Sequence, residues 1–302
     1  MTSLRIGTRS SSLAIKQAQW VADRLSDCFP RLEVQIITIK TLGDEHLTVP
    51  LSRLDGKGFF TSELEEALLD NLIDIAVHSF KDLPYELSQG LEISACCERE
   101  DPRDVLVSKD NLSLEDLPSR SQVGTSSLRR VAQVLSLRPD VACVSIRGNL
   151  DTRLRKLDES SDLSGIVVAA AGMHRLGLHQ RISHYLDDES FLPAAAQGVI
   201  AVEISTERDD IRSLVSRINH LPSEFEARAE RCFLNAMGGG CHASVGARAV
   251  YAEGSLKLRG RVLSLDGSKM LSVQTEGTDP ELVGSLAAED ALRQGAAQVM
   301  ST

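Results

Sequence analysis

At 302 residues, the chain is long enough for two or three domains, each with its own core. Hydrophobic residues at 42% and charged residues at 25% fit an ordinary globular protein, and no apolar run approaches the roughly 18–20 residues that span a bilayer. A net charge of −10 argues against nucleic acid as a partner.

The start, Met1-Thr-Ser-Leu-Arg-Ile-Gly-Thr-Arg, lacks the apolar core of a signal peptide. The six cysteines therefore read as reduced thiols in a cytoplasmic protein rather than as a disulfide framework. Taken in chain order, short apolar runs alternate with helical patterns. Strands are expected at Leu4–Gly7, Val34–Ile39, Ile73–Val77, Leu91–Cys96, Val105–Val107, Val141–Ile146, Ile166–Ala170 and Val199–Ile204. Helices are expected at Leu13–Leu25, Ser62–Asn71, Leu128–Leu137 and Thr152–Leu157. Such alternation predicts α/β units on mostly parallel sheets. The last third changes character: a helix at Glu224–Ala236, strands at Val245–Tyr251, Leu256–Val262 and Met270–Thr275, and a helix near Pro280–Met300 predict a small α+β domain. Hinges between two α/β lobes are expected at Glu98–Arg103 and Pro193–Gly198, and ligand chemistry at the carboxyl ends of the strands.

Charge is uneven. Between Arg120 and Arg181 stand ten bases against five acids, in a chain that is acidic elsewhere. This suits either a small polyanionic ligand or simply solvated helix faces. Three strand-to-helix junctions share one design: Gly7-Thr-Arg-Ser-Ser-Ser, Gly124-Thr-Ser-Ser-Leu-Arg-Arg and Arg147-Gly-Asn-Leu-Asp-Thr-Arg. Small polar residues there can cap a helix whose unpaired N–H groups and dipole attract anions. Arg9, Arg129, Arg130, Arg147 and Arg153 would add bidentate partners for carboxylates.

Val77-His-Ser-Phe-Lys-Asp-Leu-Pro ends a strand with Lys81 and Asp82, which could form a structural ion pair or supply a general acid/base in a cleft. His78 reads as a satisfied, half-buried histidine, and no metal-ligand spacing accompanies it. Gly56-Lys-Gly-Phe-Phe reads as a loop carrying Lys57 and Phe60 towards a ligand. Gly238-Gly-Gly-Cys-His is compatible with a plain helix stop or with a thiolate nucleophile at Cys241 that something bulky must approach. Cys96 and Cys97 read as core.

In order along the chain, Gly7-Thr-Arg-Ser-Ser, Gly56-Lys-Gly-Phe, Val77-His-Ser-Phe-Lys-Asp-Leu-Pro, Cys97-Glu-Arg-Glu-Asp-Pro-Arg-Asp, Gly124-Thr-Ser-Ser-Leu-Arg-Arg, Arg147-Gly-Asn and Gly239-Gly-Cys resemble the porphobilinogen deaminase family. The resemblance implies two lobes like periplasmic binding proteins (1–97 with 199–217, and 98–198) and a third α+β domain over 218–302. It implies a monomeric hydroxymethylbilane synthase of haem biosynthesis, joining four porphobilinogens head to tail with release of ammonia. The chain would grow on a dipyrromethane primer held by a thioether to Cys241. By the same matching, Asp82 assists proton transfers. Lys81, Asp82, Ser127, Arg129, Arg130 and Arg147 would hold the cofactor. Arg9, Ser11, Lys57, Phe60, Arg147, Arg153 and Arg175 would hold substrate carboxylates or line their path. Departures are Ser12 for a usual proline, Arg53 for a usual lysine, and His242 after the cysteine. A non-enzymatic anion-binding protein on the same fold would need neither Cys241 nor a chromophore. A pyridoxal-phosphate transferase would need a Schiff-base lysine and a phosphate cup, and neither is evident.

Overall fold

The computed structural model describes residues 3–41, 61–238 and 243–301. The chain forms two compact units, Met1–Glu100 with Gly198–Glu224 and Asp101–Gln197 with Phe225–Thr302.

The first unit opens with β1 (Ser3–Arg9), α1 (Ser12–Cys28) and β2 (Glu33–Ile39), followed by α2 (Ser62–Leu69), β3 (Ile75–Ser79) and β4 (Leu91–Cys96). Helix α1 forms because Ala14, Gln17, Ala18, Val21, Ala22 and Leu25 fall on one face, and because the Ser11 hydroxyl accepts from the Ala14 N–H at its start. That face packs with Leu4, Ile6, Ile75 and Val77 on one side of the sheet, while Leu64, Leu68, Ile73 and Ala76 fill the other.

The second unit continues with β5 (Asp104–Ser108), β6 (Gln122–Gly124), α3 (Leu128–Leu137), β7 (Ala142–Val144), α4 (Leu150–Glu159), β8 (Leu163–Ala169), α5 (Ala170–Arg175) and β9 (His184–Tyr185). Its sheet runs β7-β6-β8-β5-β9. The chain then returns to the first unit as β10 (Ile200–Ser205), completing a sheet of order β2-β1-β3-β10-β4. The two sheets share one plan: three parallel strands, then one antiparallel strand in fourth place, then a fifth strand antiparallel to that one. In each sheet the fourth strand is the one contributed as the chain crosses over. Burial on both faces explains the apolar runs Ile166–Ala169 at the end of β8 and Ile200–Val202 at the start of β10.

After α6 (Asp209–Val215) and α7 (Leu221–Ala236), the chain builds an antiparallel meander of β11 (Val245–Ala252), β12 (Ser255–Leu263) and β13 (Met270–Gly277). Helices α8 (Pro280–Arg293) and α9 (Ala296–Met300) finish it. Ala229, Phe233, Val283, Ala287 and Ala291 of the helices cover Ala247, Leu258 and Val273 of the sheet. The architecture is thus two α/β lobes with a small third α+β sheet. The single helix expected over Pro280–Met300 is two, because Gly295 takes a left-handed conformation at φ 93°. The strand expected over Val141–Ile146 is shorter, because the Ile146 carbonyl accepts from the Ser126 hydroxyl instead of entering the ladder.

Candidate functional site

In the first unit β1 and β3 are neighbours, and the segments that leave their carboxyl ends hold four of the expected site residues. Thr8 Oγ1 donates to the Ala14 carbonyl at 3.1 Å, folding the chain tightly from β1 into α1 and leaving Arg9 and Ser11 half-buried at the turn. Gln17, one helical turn further, donates from Nε2 to Ser79 Oγ at 2.8 Å and so ties α1 to the end of β3. There a single 3-10 turn spans Phe80–Asp82. Phe80 is buried and its N–H donates to the Val199 carbonyl at 3.0 Å, so the next two side chains turn outward: Lys81 is half-buried and Asp82 exposed. The expected histidine is satisfied: His78 Nε2 lies 2.9 Å from Glu203 Oε2, both side chains buried.

In the second unit β7, β6 and β8 lie side by side, and the segments beyond them carry the basic set. Thr125 donates its N–H to the Val144 carbonyl, and Ser126 Oγ lies 2.9 Å from Ser145 Oγ, which joins the first two loops. Ser127 stands at the N-cap position of α3 and Asn149 at that of α4, but neither side chain makes a capping bond to its helix. Arg147 is half-buried with its carbonyl accepting from Lys156 Nζ at 2.9 Å. Arg153 donates from Nε to the Gly148 carbonyl at 2.7 Å, and Arg175 closes α5.

Arg129 and Arg130 differ from the rest. They are 4% and 6% exposed, and both turn onto Asp104, which is 0% exposed. Arg129 Nη1 donates to Asp104 Oδ2 at 2.6 Å and to the Leu192 carbonyl at 2.6 Å. Arg130 donates to Asp104 Oδ1 through Nε at 3.1 Å and Nη2 at 2.7 Å, and to the Val167 carbonyl at 3.1 Å. Gln197 Nε2 adds a further donor to the same oxygen at 2.9 Å. Burial alone would push the Asp104 carboxyl up, but the charges and hydrogen bonds of the two guanidiniums outweigh it and hold it far below the usual carboxylate range. A carboxyl lowered in the folded state contributes stability above its unfolded value near ~3.9, and that contribution fades as pH falls through the native value. Asp104→Asn is expected to cost about 3–5 kcal/mol, because it leaves two buried cations uncompensated. Urea unfolding at pH 7 measures this, and the deficit against the parent should shrink in acid.

Sequence alone does not single out Asp104, although it stands in the motif Cys97-Glu-Arg-Glu-Asp-Pro-Arg-Asp. Its only signal is an acid opening the otherwise apolar strand Val-Leu-Val. Lys57, Phe60, Arg53, Cys241 and His242 lie outside the described residues. Among the described residues no cluster of three or more His, Cys, Asp or Glu could hold a metal, and no helix is long and apolar enough to cross a membrane. Each unit by itself gathers groups able to pair with carboxylates at its strand ends: Arg9, Ser11 and Lys81 in the first, with exposed Asp82 beside Lys81, and Ser127, Arg147 and Arg175 in the second.

Comparison with known proteins agrees. Residues 4–213 match the family model described as porphobilinogen deaminase, dipyromethane cofactor binding domain, and residues 225–293 match that described as porphobilinogen deaminase, C-terminal domain. A porphobilinogen deaminase of Syntrophomonas wolfei is 50% identical over 99% of this chain and 98% of its own length. One of Desulfitobacterium hafniense is 48% identical over 99% of this chain and 97% of its own. Among solved structures, the methionine-binding protein MetQ is 14% identical with a TM-score of 0.46, covering 72% of this chain and 90% of its own; the fold class rests on the strand orders above. The expected enzyme, a hydroxymethylbilane synthase working with dipyrromethane, is borne out at the level of the family. Both regions of the chain match, the relatives match end to end, and the chain belongs to the porphobilinogen deaminase family.

Proposed function

We propose that Cys241 carries the dipyrromethane and that the strand-end residues of the two lobes serve a growing chain of pyrroles built from porphobilinogen. The observation that supports this most is the turn at Phe80–Asp82. It anchors Phe80 inward and presents Asp82 exposed, beside half-buried Lys81, next to the Arg9–Ser11 turn. When bound, the dipyrromethane supplies the pyrrole carbon onto which each new unit is joined. Asp82 balances the positive pyrrole nitrogen that develops as ammonia leaves and accepts the ring proton after coupling. Lys81, Arg9, Ser11, Ser127, Arg147, Arg153 and Arg175 receive acetate and propionate carboxylates, and the basic surplus between Arg120 and Arg181 offsets the charge that accumulates with each addition. Lys57 and Phe60 contribute from their loop. Arg129 and Arg130 enter as cations at the head of α3, their direction set by Asp104. We assign three domains, 1–97 with 199–217, 98–198 and 218–302, to a cytoplasmic monomer that binds no nucleic acid.

The test is stoichiometric. Purified protein given porphobilinogen is expected to release four ammonia per hydroxymethylbilane formed, counted by ammonia assay against product absorbance. Tight binding of porphobilinogen without ammonia would favour an anion-binding protein instead.

A further inference from the structure

Helix α3 offers one face, Arg129, Ala132, Gln133 and Ser136, at spacings that bring side chains into line along a helix. That face is where the three-stranded sheet is joined to the second lobe, and it is gripped twice. At its first half the link is the main chain of Leu192. Gln133, 1% exposed, makes a reciprocal pair with it: Nε2 donates to the Leu192 carbonyl at 3.0 Å, and Oε1 accepts the Leu192 N–H at 2.7 Å. Arg129 donates to the same carbonyl. On the far side of Leu192 lies β11. A Cβ on Gly246 would sit 2.7 Å from the Leu192 Cβ and 3.0 Å from its carbonyl oxygen, so only a glycine lets β11 come this close to the Leu192 segment. The next residues continue the seam, with the Ala247 N–H donating to the Pro193 carbonyl at 3.0 Å. Arg261 of β12 donates to the Glu189 carbonyl at 2.8 Å and also to that of Ser190, and Arg248 of β11 pairs with Asp188 at 3.2 Å.

The second grip is direct. The turn between β12 and β13 is braced by Asp266 Oδ1, which accepts from Ser264 Oγ at 2.6 Å and from the Ser268 N–H at 3.0 Å. At its tip Gly267 takes φ 73°, and a Cβ there would meet the Ser136 nitrogen and, at 2.6 Å, the Ala132 carbonyl oxygen. Two separated contacts on one helical face fix both position and rotation of the helix against the sheet.

We propose that Gln133 is a positioning residue: through the Leu192 main chain it locks β11, the strand that begins four residues beyond Cys241, in register with the helix that carries Arg129 in its first turn. Helix α3 and the three-stranded sheet act as one mechanical piece, so the strand leading from the primer's attachment point keeps its distance from the head of α3 while the product lengthens. The functional half of this rests on the reading that Cys241 holds the primer.

Gln133→Leu keeps the volume and removes the two hydrogen bonds that Gln133 makes to Leu192, leaving the one from Arg129. Amide exchange at Leu192 and at Ala247 is expected to quicken together by about tenfold or more, although Ala247 bonds to Pro193 and not to Gln133. Val168, inside the second-lobe sheet, should stay protected. The variant should still carry the dipyrromethane mass, with kcat for porphobilinogen down about tenfold and KM within about twofold, the pattern of misplaced rather than weakened binding. Gly246→Ala, which leaves every hydrogen bond in place but pushes on Leu192, is expected to give the same split and serves if Gln133→Leu folds poorly. Combining the two should cost less than the product of the single losses, since both open one joint. Unchanged exchange at Ala247 would overturn the joint whether or not the protein carries dipyrromethane. Unchanged kcat in both folded, primer-bearing variants would overturn the positioning role.

Discussion

Cys241→Ser is expected to lose most of the dipyrromethane mass that the parent protein carries, and most of its turnover with it. The other five thiols are poor alternatives. Cys96 and Cys97 are buried in or beside β4, where a bulky adduct has no room. Burial pushes the Cys143 thiol up to about 11, which keeps it protonated and a poor nucleophile at neutral pH. Cys232 is buried, its sulfur 3.3 Å from the Glu281 carbonyl oxygen and from Ser285 Oγ. Cys28 is exposed, but it ends a helix of 17 residues that starts at the β1 turn, so it stands roughly 25 Å from Arg9 at 1.5 Å per residue. Cys241 follows three glycines and precedes the strand that α3 holds in place. A serine oxygen is a much weaker trap for an electrophilic pyrrole carbon than a thiolate is. Intact-protein mass and peptide mapping measure the outcome, with Cys28→Ser as the control that keeps its adduct. A parent mass equal to the bare chain, in protein that still makes hydroxymethylbilane, would sink the assignment.

The second large effect is at Asp82. Its exposure means that Asp82→Asn removes no core contact, and the turn it sits in is anchored by Phe80 rather than by its own side chain. Melting temperature should therefore hold within a degree or two. The amide can neither balance a pyrrole cation nor take up its proton, and the positioned acid–base contribution at stake is typically about 10²–10⁴-fold in rate. Single-turnover measurement of ammonia release should show a loss in that range with the primer mass still present. Near-parental turnover would remove Asp82 from the chemistry.

Much of this was legible in the residues. The bounds expected for Leu91–Cys96 and Leu128–Leu137 match the structure to the residue, since the first is an apolar run between turns and the second has a clear helical stripe. The elements that escaped are those with the least local signal. Strands β6 and β9 are three and two residues long, α5 is the six-residue run Ala-Ala-Gly-Met-His-Arg with no capping side chain, and α6 begins with two consecutive acids that read as loop. At the site, the motif positions of Arg9, Ser11, Lys81 and Asp82 follow from sequence because each sits within a few residues of a strand end. The orientation of Arg129 and Arg130 does not. Their partner is Asp104, 25 residues away from Arg129 and brought beside it only when β5 enters the sheet. The same holds for the reach of Gln133 to Leu192, 59 residues on.

The placement of β10 has a consequence for how the molecule is made. It fits between β3 and β4, yet about a hundred residues separate the end of β4 at Cys96 from its start at Ile200. On the ribosome the first sheet must wait, incomplete, until the whole insertion has emerged. Closing so long a loop in an open chain would cost on the order of 4 kcal/mol in entropy. If the inserted sheet forms first, its two ends are brought together: Gln197 Nε2 donates to the Pro102 carbonyl at 2.8 Å, and the Glu100 N–H donates to the Gly198 carbonyl at 3.2 Å. The returning strand is then delivered at the gap it must fill. The lobe translated first is thus the lobe that matures later.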